Sequence, residues 1–389
     1  MALLDRIKPM SPGQEELLQA LRSESYEVVG VFGPTGTGKS LFSVAYGIDG
    51  VMEGRFKRFI VVRPIVDVVT GREVTSVEAG GLYYDLASAY LKDILSGLVE
   101  WQDVERLIRE GKLLFADAHY LRGRTFDETV IFVDDAQALM PESAIEAFMR
   151  IGRASKFIVA GDPMLQSMLG GSSGVVILRE VLLGGSGAKV VDLGLKDVVR
   201  PGAKRGIKLL LEMKMRKRPL SDAEKGVVDA AKIYAPDADV VTVLSLVDEK
   251  RAFDIPSERT PDAVAIVKEG YLARLIGRGG ERIGKIEGEA KLKLRAVELT
   301  LNLVDLIRAL HPISWIHKHI ADADFVGPSL QVKVRGELGA FVGQRGVYIK
   351  FLDAAFRKLI GVGVVASEEA PPEGPMREEG AKRERRKKK

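Results

Sequence analysis

Apolar residues along this chain fall into two kinds of run. Five are short, nearly continuous and rich in β-branched residues: 28–32, 59–62, 112–116, 130–133 and 157–160. Successive side chains of a strand point to opposite faces, so an unbroken apolar run predicts a strand buried on both sides, as in a parallel sheet. Segments with helical spacing lie between these runs, among them 40–48 and 142–151. Strand alternating with helix predicts a doubly wound α/β domain with a parallel sheet over roughly the first 200 residues.

The pattern then changes. Gly184-Gly185-Ser186-Gly187 reads as a turn. Residues 204–218 hold seven basic side chains among fifteen, with apolar Ile207, Leu210 and Leu211 at helical spacing, which predicts an amphipathic helix joining two halves. Near Arg251 two short strand–helix–glycine–helix units begin, the mark of two small α+β domains. Past Val365 the chain turns to Glu, Pro, Gly, Lys and Arg, a composition that predicts disorder. The expected organisation is an α/β domain over 1–203, a basic helical connector over 204–250, α+β units over 251–325 and 326–366, and a basic tail over 367–389.

Composition narrows the chemistry. The chain has no cysteine, which excludes disulfides, thiol nucleophiles and cysteine-based zinc sites. No apolar run approaches the roughly 18 residues that cross a bilayer, and residues 1–9 lack the layout of a signal peptide, so no membrane association and a cytoplasmic location are the default expectations. Net charge is +4, and eight basic against six acidic residues from Ala366 onward supply half of it. Global charge therefore does not mark a nucleic-acid binder; local patches must. His311, His317 and His319 lie close in sequence, but without organised carboxylates they read as part of a half-buried helix, not a metal site.

Chemistry concentrates at strand ends. Gly33-Pro34-Thr35-Gly36-Thr37-Gly38-Lys39-Ser40 fits G-x-x-x-x-G-K-[ST], with an apolar strand before it and a helix pattern after it. Glycines let backbone amides curl around a phosphate, and the helix N-terminus adds its positive end. Lys39 then reaches the β- and γ-phosphates, and Ser40 offers a hydroxyl to Mg²⁺. The run 130–133 ends in Asp134-Asp135, where a Mg²⁺ site needs an acid; Asp134 is the candidate metal partner and Asp135 the candidate orienter of water. Arg63-Pro64 and Gly161-Asp162-Pro163-Met164-Leu165-Gln166 close two further strands, where ligands of open α/β sheets sit.

These residues resemble the PhoH family, whose ATPase core is similar to the first motor domain of superfamily-one helicases, a RecA-like fold. The matching elements, in the family's order over about residues 9–203, are Gln14 in Ser11-Pro12-Gly13-Gln14, the loop 33–40, Arg63-Pro64, Arg122-Gly123-Arg124-Thr125, Asp134-Asp135-Ala136-Gln137, the 161–166 motif and Asp197-Val198-Val199-Arg200. The resemblance implies ATP and Mg²⁺ as cofactors and Gln14 as a reader of adenine. It implies Gln137 and Gln166 as couplers of phosphate state to conformation, and Arg124 and Arg200 as charge-stabilising arginines. Family members form rings, so a homo-oligomeric ring, with the hexamer among its sizes, is expected, and an arginine acting on a neighbour's nucleotide. Two departures stand out: Asp135 is one methylene shorter than the usual Glu, and Pro201 replaces the His that usually follows the arginine.

A second motif is Leu275-Ile276-Gly277-Arg278-Gly279-Gly280-Glu281-Arg282-Ile283, between an expected strand at 263–267 and a helix at 281–289. It recurs as Phe341-Val342-Gly343-Gln344-Arg345-Gly346-Val347-Tyr348-Ile349, after an expected strand at 330–334. Both resemble KH domains, in which a G-x-x-G loop grips the backbone of about four nucleotides, and the pair resembles the tandem KH modules of transcription-elongation factors. Arg278 would add charge, and Ile276 and Ile283 would wall a groove for bases. The basic helix 204–218 reads as a solvated face, with a nucleic-acid channel as the other reading, and the tail as a source of salt-dependent affinity. Together the resemblances imply an ATP-hydrolysing remodeller or helicase acting on single-stranded RNA. The rivals are a nucleotide-switched RNA adaptor with slow hydrolysis and an ATPase acting on single-stranded DNA.

Overall fold

The computed structural model describes residues 2–66, 73–74, 76–117, 121, 123–164, 174–256 and 260–369. The five expected strands form as Val28–Phe32 (β1), Arg58–Val62 (β2), Leu113–Ala116 (β3), Thr129–Val133 (β4) and Lys156–Gly161 (β5). A sixth, Ala188–Asp192 (β6), joins them in one sheet of order β3-β2-β4-β5-β1-β6, every pair parallel. β1, β4 and β5 are buried along their full length. One apolar cluster, with Leu17, Phe42, Phe59 and Phe132, covers one face; another, with Phe32, Ile60, Phe157 and Val175, covers the other. β6 is an edge strand on which Val191 alone is buried, so it carries no continuous apolar run for sequence reading to find.

The expected basic helix is Pro201–Lys217, which buries Ala203, Ile207, Leu211 and Met215 at four-residue spacing. Two of its cations are paired: Lys208 with Glu269, and Arg216 with Glu212 and Asp239 at 2.8 and 2.7 Å. The rest of the stretch read as a connector is not one. Helix Asp222–Tyr234 and strand Val240–Ser245 (β7) lie within it, and β7 pairs antiparallel with Ala263–Lys268 (β8), which pairs parallel with Leu294–Leu299 (β9). A boundary at 250/251 would cut this sheet. The helix start was legible, because Ser221 and Glu224 form a reciprocal capping box.

The second unit also begins earlier than expected. Helix Leu303–Leu310 precedes Ile320–Val326 (β10), which pairs antiparallel with Ser329–Val334 (β11), itself parallel to Gly363–Glu368 (β12). A boundary at 325/326 would cut β10. Apart from a short helix, Val247–Ala252, between the paired strands of the first, each unit runs helix, antiparallel strand pair, short helix, glycine turn, helix, and a strand parallel to the middle one. One apolar core, from Val198 and Ile207 through Leu244 and Ile266 to Phe325, Phe341 and Phe356, joins the 201–217 helix to both units. Among the described residues no helix is long and apolar enough to cross a membrane.

The clustered histidines serve the backbone. His311 is fully buried; its Nδ1 accepts from Ile313 N at 2.9 Å, so Nε2 carries the proton and donates to the Phe341 carbonyl at 3.0 Å. His317 and His319 face the carbonyls of Ser314 and Arg335. Burial holds the His311 ring below the ordinary histidine range of 6.5. Below that pH the unfolded chain takes up a proton that the fold resists, so stability falls as pH falls. Denaturant unfolding between pH 7.5 and 5.5 is expected to lose up to about 1.4 kcal/mol per pH unit from this group. The corresponding slope should flatten in His311→Asn; an unchanged slope would remove His311 as its source.

Candidate functional site

β1 ends at Phe32, the helix Lys39–Met52 begins seven residues later, and the loop between them is tightly built. Gly36 has φ 82° and no room for a side chain, since a Cβ there would lie 2.5 Å from that of Ala203. Gly38 caps the helix in the left-handed region at φ 91°. Thr37 is buried and donates to the Pro34 carbonyl at 2.9 Å. Lys39 Nζ turns onto the loop itself, donating to the carbonyls of Gly33 and Pro34 at 2.7 and 2.8 Å. Desolvation holds its amine below the usual lysine range, against the pull of Asp162, Asp134 and Asp135. A desolvated cation beside a ring of backbone amides at a helix N-terminus fits a polyphosphate. Gln14 is buried behind the loop; its Nε2 donates to the Thr37 carbonyl at 2.9 Å and its Oε1 accepts from Met10 N at 2.7 Å.

Opposite Lys39, β4 delivers two carboxylates. Asp134 is buried; its Oδ1 accepts from Ser40 Oγ and from Asp135 N, both at 3.0 Å, and its Oδ2 accepts from the Tyr90 hydroxyl. Burial and then the adjacent Asp135 push the Asp134 carboxyl up, while Tyr90, Arg63 and Ser40 favour its ionised form. Burial and the Asp134 charge raise the Tyr90 hydroxyl, which keeps it a donor. Arg63, just past β2, lies 3.0 Å from Asp135 Oδ2 and 3.5 Å from Asp134 Oδ2, with its guanidinium 3.7 Å from the centre of the Tyr90 ring. Gln137 links two strand ends: Nε2 donates to Asp135 at 3.1 Å, and Oε1 accepts from Asp162 N at 3.1 Å. A hydroxyl and a buried carboxylate held 3.0 Å apart beside a phosphate loop are a fitting oxygen donor set for hydrated Mg²⁺.

The cleft these groups line measures about 680 Å³. It brings together Thr35, Gly36, Gly38, Lys39, Ser40, Arg63, Asp134, Asp135 and Arg200 of the residues proposed from sequence. Arg200 donates to Thr35 Oγ1 at 3.1 Å. Arg124 is exposed, with its guanidinium 5.0 Å from the Phe126 ring, and is not among the cleft's lining residues. Gln166 and Arg122 lie outside the described residues. Tyr90 was missed: it sits on the helix Gly81–Leu95, and no local motif distinguishes it from the other aromatic positions there.

A family profile described as PhoH-like protein matches residues 6–212, more than half of the chain. The chain belongs to the PhoH-like family. Its N-terminal domain is a P-loop NTPase. A PhoH-like protein of Bacillus subtilis (strain 168) is 31% identical over 202 residues, covering 50% of this chain and 60% of that protein. Those of Mycobacterium leprae (27% identical; 50% and 55% covered) and Synechocystis (28%; 48% and 56%) are similar in the same way. The chain therefore spans less than two thirds of the length of these relatives, and the family match ends at residue 212, before the two α+β units.

Besides the apolar core that the 201–217 helix shares with both units, a short segment ties the second unit to the PhoH domain. Asp324 of β10 is buried and accepts from the backbone amides of Leu195 (2.6 Å), Lys196 (3.1 Å) and Phe325 (2.7 Å). Lys196 also pairs with Asp322. Four residues on, Val199 N donates to the Gly36 carbonyl of the phosphate loop at 3.1 Å, and Arg200 reaches Thr35. The carboxylate of Asp197, between them, accepts from Gly13 and Gly194 at 3.1 and 2.8 Å.

The two glycine loops repeat each other's backbone. Gly277 and Gly343 have φ/ψ of 74°/176° and 75°/166°; Gly279 and Arg345 have 62°/18° and 56°/21°; Gly280 and Gly346 have 84°/10° and 76°/20°. Arg278, Gln344 and Arg345 are exposed at the tips, and Ile276 and Ile283 are half-buried beside the first.

Arg200 and Arg124 are predicted to separate by position. In a titration with a fluorescent ATP analogue and Mg²⁺, Lys39→Ala should lose at least about 100-fold in affinity and Arg200→Ala about tenfold, as removed charge-assisted bonds do. Arg124→Ala should bind within twofold of the parent. Strong loss at Arg124 and none at Arg200 would reverse their assignment.

Proposed function

We propose that this chain is an ATP-hydrolysing remodeller of single-stranded RNA, in which a P-loop motor drives two KH-type RNA-binding units. The observation that carries the coupling is the segment 194–200, which bonds to the phosphate loop through Val199 and Arg200 and to the second unit through Leu195 and Lys196. A change of phosphate state at Gly36 would be felt at Asp324 through about four residues of backbone. The KH reading is supported by two units that share their element order apart from the helix Val247–Ala252, and by two exposed glycine loops of the same backbone geometry. On this reading Gly277-Arg278-Gly279-Gly280 and Gly343-Gln344-Arg345-Gly346 grip sugar–phosphate, and Ile276 and Ile283 face bases.

In the motor, the phosphate loop, Lys39 and Arg200 bind the polyphosphate, and Gln14 is the candidate for adenine. Ser40 and Asp134 hold Mg²⁺, which when bound supplies charge to offset the developing negative oxygens. Asp135 orients water, and Gln137 ties that carboxylate to Asp162. Gln166 remains a candidate sensor of phosphate state. The exposure of Arg124 outside its own cleft supports a role toward a neighbouring subunit's nucleotide in a homo-oligomeric ring. A second reading rests on Asp135, which is one methylene shorter than glutamate and engaged by Arg63 and Gln137. Slow hydrolysis would then make the nucleotide a switch of RNA affinity with no strand separation.

Single-stranded RNA is expected to raise the ATPase rate at least fivefold, and Lys39→Ala to abolish it. No stimulation would sink the remodeller. Stimulation without strand displacement would leave the switch, and stronger competition by a matched DNA oligomer would move the substrate to single-stranded DNA. Asp324→Asn, checked to unfold at the parent's temperature, should lose at least threefold of the RNA stimulation while its basal rate stays within twofold. Unimpaired stimulation would discard the 194–200 route.

A further inference from the structure

The acid end of the nucleotide cleft contains one side chain that no motif accounts for. Tyr90 makes two contacts at once: its hydroxyl donates to Asp134 Oδ2, and its ring face lies under the Arg63 guanidinium at 3.7 Å. Arg63 in turn spans both carboxylates, at 3.0 Å from Asp135 and 3.5 Å from Asp134. The other oxygen of Asp134 is occupied by Ser40 and by Asp135 N. Without Tyr90, Asp134 Oδ2 would keep only the longer arginine contact, and Arg63 would lose the surface that sets its plane.

We propose that Tyr90 is a positioning residue of the metal site, fixing the Asp134 carboxylate by its hydroxyl and the Arg63 counter-ion by its ring before any ligand enters. Groups that orient a ligating carboxylate commonly change metal affinity by 10–100-fold when removed. A cation resting on an aromatic face keeps its charge, and the ring fixes the plane in which its N–H groups meet the two carboxylates. The two contacts come from different parts of one side chain, so they separate by substitution. Tyr90→Phe removes the hydroxyl and keeps the face; Tyr90→Leu removes both.

The inference rests on the reading of Ser40 and Asp134 as the Mg²⁺ holders, and the test keeps the two apart. Mn²⁺ binding to the full chain with a non-hydrolysable ATP analogue is followed by the electron paramagnetic resonance signal of free Mn²⁺. Affinity for the analogue without metal is measured separately in EDTA. Tyr90→Phe is expected to weaken Mn²⁺ at least tenfold while metal-free analogue binding stays within twofold. Tyr90→Leu is expected to weaken both. If Asp134→Asn binds Mn²⁺ as the parent does, the metal-site reading itself falls. If Asp134→Asn loses Mn²⁺ and Tyr90→Phe stays within twofold of the parent, the site stands and the role of Tyr90 is overturned. Parallel loss of metal and metal-free analogue binding in Tyr90→Phe would mark a merely structural residue and overturn it equally.

Discussion

Two adjacent carboxylates at the end of a buried strand set the terms for the nucleotide site. Asp134 is almost wholly removed from water, and Asp135 stands next to it. Like charges in a low-dielectric setting repel strongly unless donors and cations surround them. Ser40, Tyr90, the Asp135 amide and Arg63 are those partners, and each comes from a different element. Lys39 meets the complementary problem, a half-buried and desolvated cation, by turning onto the carbonyls of its own loop. Opposite charges held apart across a cleft, each provisionally satisfied, suit a site whose ligand brings both phosphate and metal.

The same loop is also the mechanical junction of the molecule. Gly36 has no room for a side chain because Ala203 packs against it, at the start of the helix whose other residues enter the C-terminal core. Gly194 is equally confined, since a Cβ there would lie 2.3 Å from Asp324. Phosphate loop, segment 194–200, helix 201–217 and second α+β unit are therefore packed in series with no slack. Close-packed interiors transmit displacement instead of absorbing it, which gives the proposed coupling a physical basis.

Much of the site was legible before any coordinates. Residues 33–40 and Asp134-Asp135 announce themselves because their chemistry is local: glycines that must adopt unusual backbone angles, and acids placed directly after an apolar strand. The glycine loops at 277–280 and 343–346 are visible for the same reason. Units were misjudged where an element has no chemistry of its own. Strand β7 carries an ordinary sequence and belongs to the first unit only through its pairing with β8; the capping box of helix Asp222–Tyr234 marks a helix start but not the sheet it packs on.

What the sequence determined by itself was the set of strands, all but the half-buried edge strand β3 buried on both faces, the phosphate loop between strand and helix, and the repeated glycine turn. Each is encoded within a few consecutive residues, as an apolar run or a backbone angle that only certain residues tolerate. The tertiary structure alone decided which charges meet. Arg63 reaches Asp134 across two neighbouring strands, Tyr90 reaches it from 44 residues away, and Asp324 reaches Leu195 across 129. It also separated Arg200, inside the cleft, from Arg124, outside it, though the family resemblance implies the same charge-stabilising role for both. Such pairings depend on strand order and packing, which short-range patterns do not specify, and they are the contacts on which the proposed chemistry turns.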